Sequence, residues 1–274
     1  MFRALTIAGS DTCGGAGIQA DLKAFSANGV YGMSVITAVT AQNTMGVFGI
    51  QDINPEMIES QIDVIFDDIR VDAIKIGMVS KIESIKAISK ALRKVEKLPL
   101  IVLDPVMISK SGFNLLSRDA KDTLVKELFP LATLITPNLP EAEEILGMKI
   151  ENLEQMKEAA LKLKELGPKF ILVKGGHLEG EATDLLYDGE KFIILKQERI
   201  NTTHTHGTGC TLSSAIAANL AKEMKVEEAV KEAKRYITIA IEHGFELGKG
   251  VGPTNHFYEL YTHLEKAQSA TKNL

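Results

Sequence analysis

The sequence predicts a three-layer α/β/α protein, a mostly parallel central sheet flanked by helices on both sides. Three observations carry that expectation. Strand-like and helix-like segments alternate along the whole chain. Several strands, Leu100-Ile-Val-Leu103 and Phe170-Ile-Leu-Val173 among them, are apolar at every position, as when both faces are covered. Polar or glycine residues recur just after the strands, where open α/β sheets bind their ligands.

Leu5-Thr-Ile-Ala8 reads as a strand running into the glycine loop Gly9-Ser-Asp-Thr-Cys-Gly-Gly-Ala-Gly17, with a helix over about 18–27. Gly9-x4-Gly14 is followed by Gly15-Ala16, where a P-loop needs Lys and then Ser or Thr, so that reading fails. Gly15-x-Gly17-x-x-Ala20 matches the relaxed dinucleotide fingerprint, but no acid follows the next strand to hold a ribose hydroxyl. That strand, over 34–40, is β-branched and ends in Ala41-Gln42-Asn43, whose amides either face a crevice or close a turn. An amphipathic helix over about 55–69 follows, then a strand Ala73-Ile-Lys-Ile76 ending in Gly77-Met78, then a helix over about 82–92. The 100–103 strand ends in Asp104-Pro-Val-Met107, and Leu134-Ile135 leads through Thr136-Pro-Asn138 into a helix to Leu146.

A helix over about 153–166 is apolar at 153, 156, 159, 160, 163 and 166. The strand 170–173 ends in Lys174-Gly-Gly-His177, and 184–195 suggests a hairpin. Small apolar residues make 211–221 a buried helix, and a last long helix is expected over about 226–247. The final ten or so residues are polar and are expected to fray. Without repeats or linkers, residues 1–274 are read as a single domain.

Net charge is −5 and there is no basic run, which argues against a nucleic-acid surface. No apolar stretch approaches the ~18 residues of a membrane span, and the N-terminal apolar run is too short for a signal peptide. With only Cys13 and Cys210 there is no disulfide framework, so a cytoplasmic enzyme is expected. The sequon at Asn201-Thr-Thr203 carries no weight without export.

The segment His206-Gly-Thr-Gly-Cys210 is the centre of the functional reading. It opens directly into the 211–221 helix, and a helix N-terminus offers unpaired N–H groups and a dipole that favours negative charge. Gly207 and Gly209 would let that backbone approach a ligand closely, with Thr208 beside them, making a cradle for an anion such as a phosphoryl group. A tight turn before a core helix, with Cys210 as a small hydrophobe, is the competing reading.

At the other strand ends, Asp104 and Glu141 offer oxygen ligands to Mg²⁺, and Lys174 a point cation for phosphates. Asn138 with Glu141 equally approximates a helix capping box. Asp11 suits an Asx-turn, and Asp21 suits a helix dipole whatever the function. His204 and His206 lack further ligands at metal spacing and are read as loop-positioning residues.

In order along the chain, Ala8-Gly-Ser-Asp11, Gly14-Gly-Ala-Gly-Ile-Gln-Ala-Asp21, 34–43, Lys75-Ile-Gly-Met78, Asp104-Pro-Val-Met107, 135–142, Val173-Lys-Gly-Gly-His177 and His204-Thr-His-Gly-Thr-Gly-Cys210 form one set. The set resembles the hydroxymethylpyrimidine/phosphomethylpyrimidine kinases of thiamine biosynthesis, members of the ribokinase-like superfamily. It extends over about 4–257, including Gly252-Pro-x-x-His-Phe257. The resemblance implies a ribokinase-like fold and ATP-dependent phosphorylation of 4-amino-5-hydroxymethyl-2-methylpyrimidine to the monophosphate and then the diphosphate.

By position it places Gln42 on the aminopyrimidine edge, with Asp21, Gly9, Met78 and Val106 around the ring. It places Cys210 where many sugar kinases carry an aspartate base, with the amides of 207–210 on the transferring group. Asp104 and Glu141 would hold Mg²⁺, with Lys174, Asn138 and Thr208 on ATP. A homodimer and pyridoxal as the nearest rival substrate are also implied, and no second domain of the kind fused in some members is expected from the sequence.

A free thiol needs about 2 kcal/mol of help to be half ionised at pH 7, and a helix N-terminus supplies ~0.3–2. Cys210 is therefore expected to be only partly thiolate, and Cys13 could approach it across the crevice without a redox link. A non-catalytic precursor sensor would lack Lys174, Asp104 or Cys210, and all three are present. A nicotinamide-dependent oxidoreductase is disfavoured by the missing acid.

Overall fold

The structure is a computed structural model that describes residues 1–107, 112, 115–116, 119–176 and 182–271, with side chains as far as 265. His177 lies outside the described residues. The strands are β1 (Arg3–Ser10), β2 (Tyr31–Asn43), β3 (Gly46–Asp52), β4 (Ala73–Ile76), β5 (Leu100–Leu103), β6 (Leu134–Ile135), β7 (Phe170–Gly175), β8 (Thr183–Tyr187) and β9 (Phe192–Leu195). They form one sheet in the order β3-β2-β1-β4-β5-β6-β7-β8-β9. Every neighbouring pair from β2 to β7 is parallel, and β3 at one edge and β8 and β9 at the other run antiparallel. The helices are α1 (Gly17–Ala27), α2 (Pro55–Asp68), α3 (Ile82–Arg93), α4 (Ala120–Glu127), α5 (Leu139–Leu146), α6 (Leu153–Glu165), α7 (Thr208–Ala221), α8 (Val226–Glu242) and α9 (Tyr258–Thr271).

Strand side chains alternate between two cores, which explains the uniformly apolar strands. Leu5, Ile7, Ile101, Leu103, Ile171 and Val173 pack with Ile58 and Ile62 of α2, Ile85 and Ile88 of α3, and Met156 of α6. Their neighbours Ala4, Val102 and Leu172 pack on the other face with Phe25 of α1, Leu212 and Ile216 of α7, and Val230 and Ile237 of α8. Each such side chain contributes about 1.5–3 kcal/mol by leaving water. Ala4, Ala73 and Val102 are small where α7 crosses, so this helix, buried throughout 211–221, sits directly on the central strands.

The layers and the hairpin of β8 and β9 are as expected. Several boundaries differ. β2 is longer than predicted and runs through Gln42 to Asn43 because it pairs with β3, a strand the sequence did not announce. β3 contains Gly46 and Gly49 and has no clean alternation to mark it. The short helix α4 was also missed. The last long helix stops at Glu242, and the chain then turns back, with Asn255 N–H donating to the Ala240 carbonyl, before α9. The C-terminal polar residues expected to fray are helical to Thr271. No helix among the described residues is long and apolar enough to cross a membrane.

Candidate active site

The carboxyl ends of the parallel strands surround a cavity of about 180 Å³. Gly9, Gln42, Met78, Asp104, Val106, Asn138, Glu141, Lys174 and residues 205–210 line it. A second cavity, of about 400 Å³, lies beside α8 and shares Asn138, Lys174, Thr205, Thr208 and Gly209 with the first. The two are arms of one cleft, and they meet at the N-terminus of α7.

Gly207 caps that helix in the left-handed region, with φ 76°. A Cβ there would overlap the Gly15 carbonyl oxygen, so only glycine lets the last glycine loop lie on the first. The first intrahelical bond runs from Thr211 N–H to the Gly207 carbonyl, 2.8 Å, which leaves the N–H groups of Gly209 and Cys210 without partners in their own helix. The side chain of Cys210 also accepts from Gly17 N–H at the start of α1, so two helix N-termini converge on one sulfur.

Burial nevertheless pushes the Cys210 thiol up to about 11; the Lys75 charge opposes this, while Asp21 and Asp104 add to it. The expected partial thiolate is therefore corrected: at rest Cys210 is a neutral thiol, because desolvation outweighs the helix dipoles. Cys13 and Cys210 are both free, and Cys13 groups with Asp11 and His206 instead of lining the cleft beside Cys210.

Asp104, Lys174 and Glu141 form the junction's charged wall. Asp104 Oδ1 accepts from Thr136 Oγ1 at 2.9 Å and from Lys174 Nζ at 2.8 Å. Asp104 Oδ2 and Lys174 Nζ flank Gly209, 3.2 and 3.3 Å from where a Cβ would stand. Glu141 completes a capping box with Asn138, its Oε2 accepting from Asn138 N–H at 2.8 Å. The capping reading and the ligand reading are thus compatible at one residue. Burial lifts the Glu141 carboxyl to about 7, with Asp104 adding to the rise and Lys174 opposing it. Glu141 is thus only partly ionised beside the Asp104–Lys174 pair, and a divalent cation would draw out its carboxylate form, so the oxygen donors fit Mg²⁺.

On the opposite wall Asp11 organises the first glycine loop. Its carboxylate accepts from the N–H groups of Cys13, Gly15 and Ala16 at 2.8, 3.0 and 2.8 Å, and from His206 Nε2 at 2.9 Å. Burial works against its charge, but His206 and the amides outweigh it and hold the carboxyl below its usual range. His206 Nε2 therefore carries a proton, and the Gln42 carboxamide lies 3.3 Å from it. Two donors do not face one another, so the carboxamide, whose nitrogen is placed 3.3 Å from His206 Nε2, is assigned the reverse orientation, with its oxygen toward His206 and its NH₂ toward the cavity. A bulge between Ala41 and Gln42 aims this side chain inward.

The family described as phosphomethylpyrimidine kinase matches residues 11–255. The chain belongs to that family. A hydroxymethylpyrimidine/phosphomethylpyrimidine kinase of Rhizobium meliloti is 52% identical over 259 residues, 93% of this chain and 97% of the relative. The thiamine biosynthesis bifunctional protein ThiED of Geobacter sulfurreducens is 50% identical over 92% of this chain, which spans about half (51%) of that relative's length. Among solved structures, phosphomethylpyrimidine kinase of Clostridium difficile is 54% identical with a TM-score of 0.79, covering 88% of this chain and 100% of the other. An ADP complex of Bacillus subtilis pyridoxal kinase is 42% identical with a TM-score of 0.87, covering 95% and 99%. The fold is ribokinase-like, and the chain is a small-molecule kinase of the phosphomethylpyrimidine kinase family.

One residue the family resemblance placed at the ring is corrected by the geometry. Asp21 does not line the cleft. It is fully buried behind Cys210, where its carboxylate accepts from Lys75 Nζ at 2.9 Å, Thr6 Oγ1 at 2.6 Å and Ser214 Oγ at 2.7 Å. Burial opposes the Lys75 charge, but the carboxylates of Asp21 first and then Asp104 hold that ammonium protonated above the usual lysine range. Asp21→Ala strands this ammonium, so a loss of about 3–5 kcal/mol in urea unfolding is expected. An unchanged midpoint would contradict this structural role.

In this phosphomethylpyrimidine kinase family member the sequence reading undervalued Asp11 and His206, because an Asx-turn and a loop histidine are locally ordinary. It also missed Asp184 and Lys234, an ion pair flooring the second arm. They are 50 residues apart and carry no local signature.

Proposed function

We propose that this kinase transfers the γ-phosphoryl group of ATP to 4-amino-5-hydroxymethyl-2-methylpyrimidine, and then a second phosphoryl group to the resulting monophosphate. The observation that carries the reading is the two-armed cleft meeting at one helix N-terminus. In the first arm the Gln42 NH₂ meets a ring nitrogen, and Met78, Val106 and Leu115 supply apolar walls. Gly9 has no Cβ to push the Met78 methyl group into the space the ring would take. In the second arm Asn138, Lys174 and Thr208 lie where ATP phosphates approach the junction.

The Asp104 and Glu141 carboxylates are the donors for Mg²⁺, which when bound neutralises phosphate charge. Lys174 supplies a fixed cation beside Gly209, and the free N–H groups of Gly209 and Cys210 face charge that develops on the transferring group. Cys210 first gives its own proton to solvent, and the thiolate so formed takes the alcohol proton late, as a loose phosphoryl transfer permits. We assign a cytoplasmic, homodimeric protein, with pyridoxal as the alternative substrate because pyridoxal kinases share the fold.

Product analysis with ATP and each alcohol tests the assignment. Mono- and diphosphate should form from the hydroxymethylpyrimidine, and pyridoxal turning over far faster would reject it. Gln42→Leu removes the ring contact together with the His206 contact and touches nothing that lines the second arm. It should raise KM for the alcohol by about 10–100-fold, the cost of about 1–3 kcal/mol for one unsatisfied polar group, and leave KM for ATP unchanged. A matched rise in both constants would contradict the assignment of arms.

A further inference from the structure

Three side chains beside the first arm have no part in the transfer chemistry and yet converge. Asp11, Cys13 and His206 each point one donor atom into a common space, all within 4.8 Å of one another. Asp11 and His206 are walled off, their side chains 4% and 10% exposed, while Cys13 is half-buried and gives access from outside. A carboxylate, a thiol and an imidazole are the donor types that zinc takes, with a fourth position left for water. We propose that Asp11, Cys13 and His206 form a binding site for a thiophilic divalent ion of the Zn²⁺ class, and that its occupation disables the arm that receives the alcohol.

The geometry needs little rearrangement. Zinc–donor bonds of about 2.0–2.3 Å place tetrahedral ligand atoms roughly 3.3–3.8 Å apart, so the cluster closes by about an ångström. Cys13 sits in a loop next to Gly14, which has φ 80°, and side-chain rotation supplies the movement. Asp11 Oδ1 accepts only the Cys13 N–H, so it retains a lone pair for a metal.

Protons balance as follows. The Cys13 sulfur–hydrogen bond breaks and its proton goes to solvent. The His206 proton moves from Nε2 to Nδ1, which frees Nε2 for the metal. One thiolate and one carboxylate then neutralise the dication. Lys23, whose Nζ donates to the Gly14 carbonyl at 2.8 Å, is the nearby charge that opposes binding. Mg²⁺ prefers oxygen donors and does not compete for the sulfur.

Binding itself follows from the cluster alone. The inhibitory half rests on the proposed function, because an ion on Nε2 removes the proton that His206 presents to Gln42. The test uses Co²⁺ as probe, titrated into the nucleotide-free full-length protein while thiolate-to-cobalt charge-transfer absorption is followed. Wild type and Cys210→Ser should both develop the band, and Cys13→Ser should lose it. A band that is missing in wild type, persists in Cys13→Ser, or disappears in Cys210→Ser overturns the site.

Turnover without added zinc should be unchanged in Cys13→Ser. The Zn²⁺ concentration for half-inhibition should rise at least about tenfold in that variant, as when a metal loses a protein contact. Unchanged zinc sensitivity despite loss of the cobalt band would overturn the inhibitory half and leave the substrate assignment untouched.

Discussion

Cys210→Ala is expected to lower kcat by about 10²–10⁴-fold, the range that one positioned proton acceptor contributes. The alcohol should bind as before, because its ring contacts lie on Gln42, Met78 and Val106. With its thiol pushed up to about 11, Cys210 costs about 5 kcal/mol to ionise at pH 7. Wild-type kcat should therefore climb with pH from neutrality toward the alkaline range, nearly tenfold per pH unit wherever proton removal limits turnover. The residual activity of the alanine variant should lack that rise. Single-turnover rates across pH, beside equilibrium binding of the alcohol, decide the matter. Near-normal turnover in the variant would remove the base role.

The second large effect is expected from Lys174→Met, which keeps the stem and deletes the charge. Asp104 then loses its 2.8 Å partner, and Glu141, already lifted to about 7, loses the cation that opposes the rise. Because Lys174 stands at the junction of the two arms, its charge should matter most while the phosphoryl group is between them. A fall in kcat of about 10²–10³-fold is expected, as for one lost stabilising donor, with a smaller change in KM for ATP. A change confined to KM would make Lys174 a binding residue only.

The layered architecture was legible in the sequence because strands as uniformly apolar as β5 and β7 escape water only when both of their faces are covered. The cleft was legible where a polar residue stands at or just past the carboxyl end of a strand, as at Gln42, Asp104, Asn138 and Lys174, all of which line it. Asp21 misled because proximity in the motif says nothing about direction, and its side chain points from α1 toward Lys75 and Ser214. The Cys210 thiol misled because sequence shows a helix start but not how much solvent is lost around it. β3 stayed hidden because its pairing with β2 is a tertiary event, without local alternation to announce it. Lys234 and Asp184 belong to different elements, and only the folded chain brings them together.

The interlocked glycines of the first and last loops have a consequence for biogenesis. Gly207 leaves no room for a Cβ beneath the Gly15 carbonyl, and a Cβ on Gly15 would in turn strike the His206 ring. The substrate chamber is thus closed by segments far apart along the chain. A nascent chain emerging from the ribosome lacks the far wall of this chamber until residues 205–210 are made and have docked on the first loop. Prematurely terminated chains would be inert toward both substrates, however much of the sheet they contain.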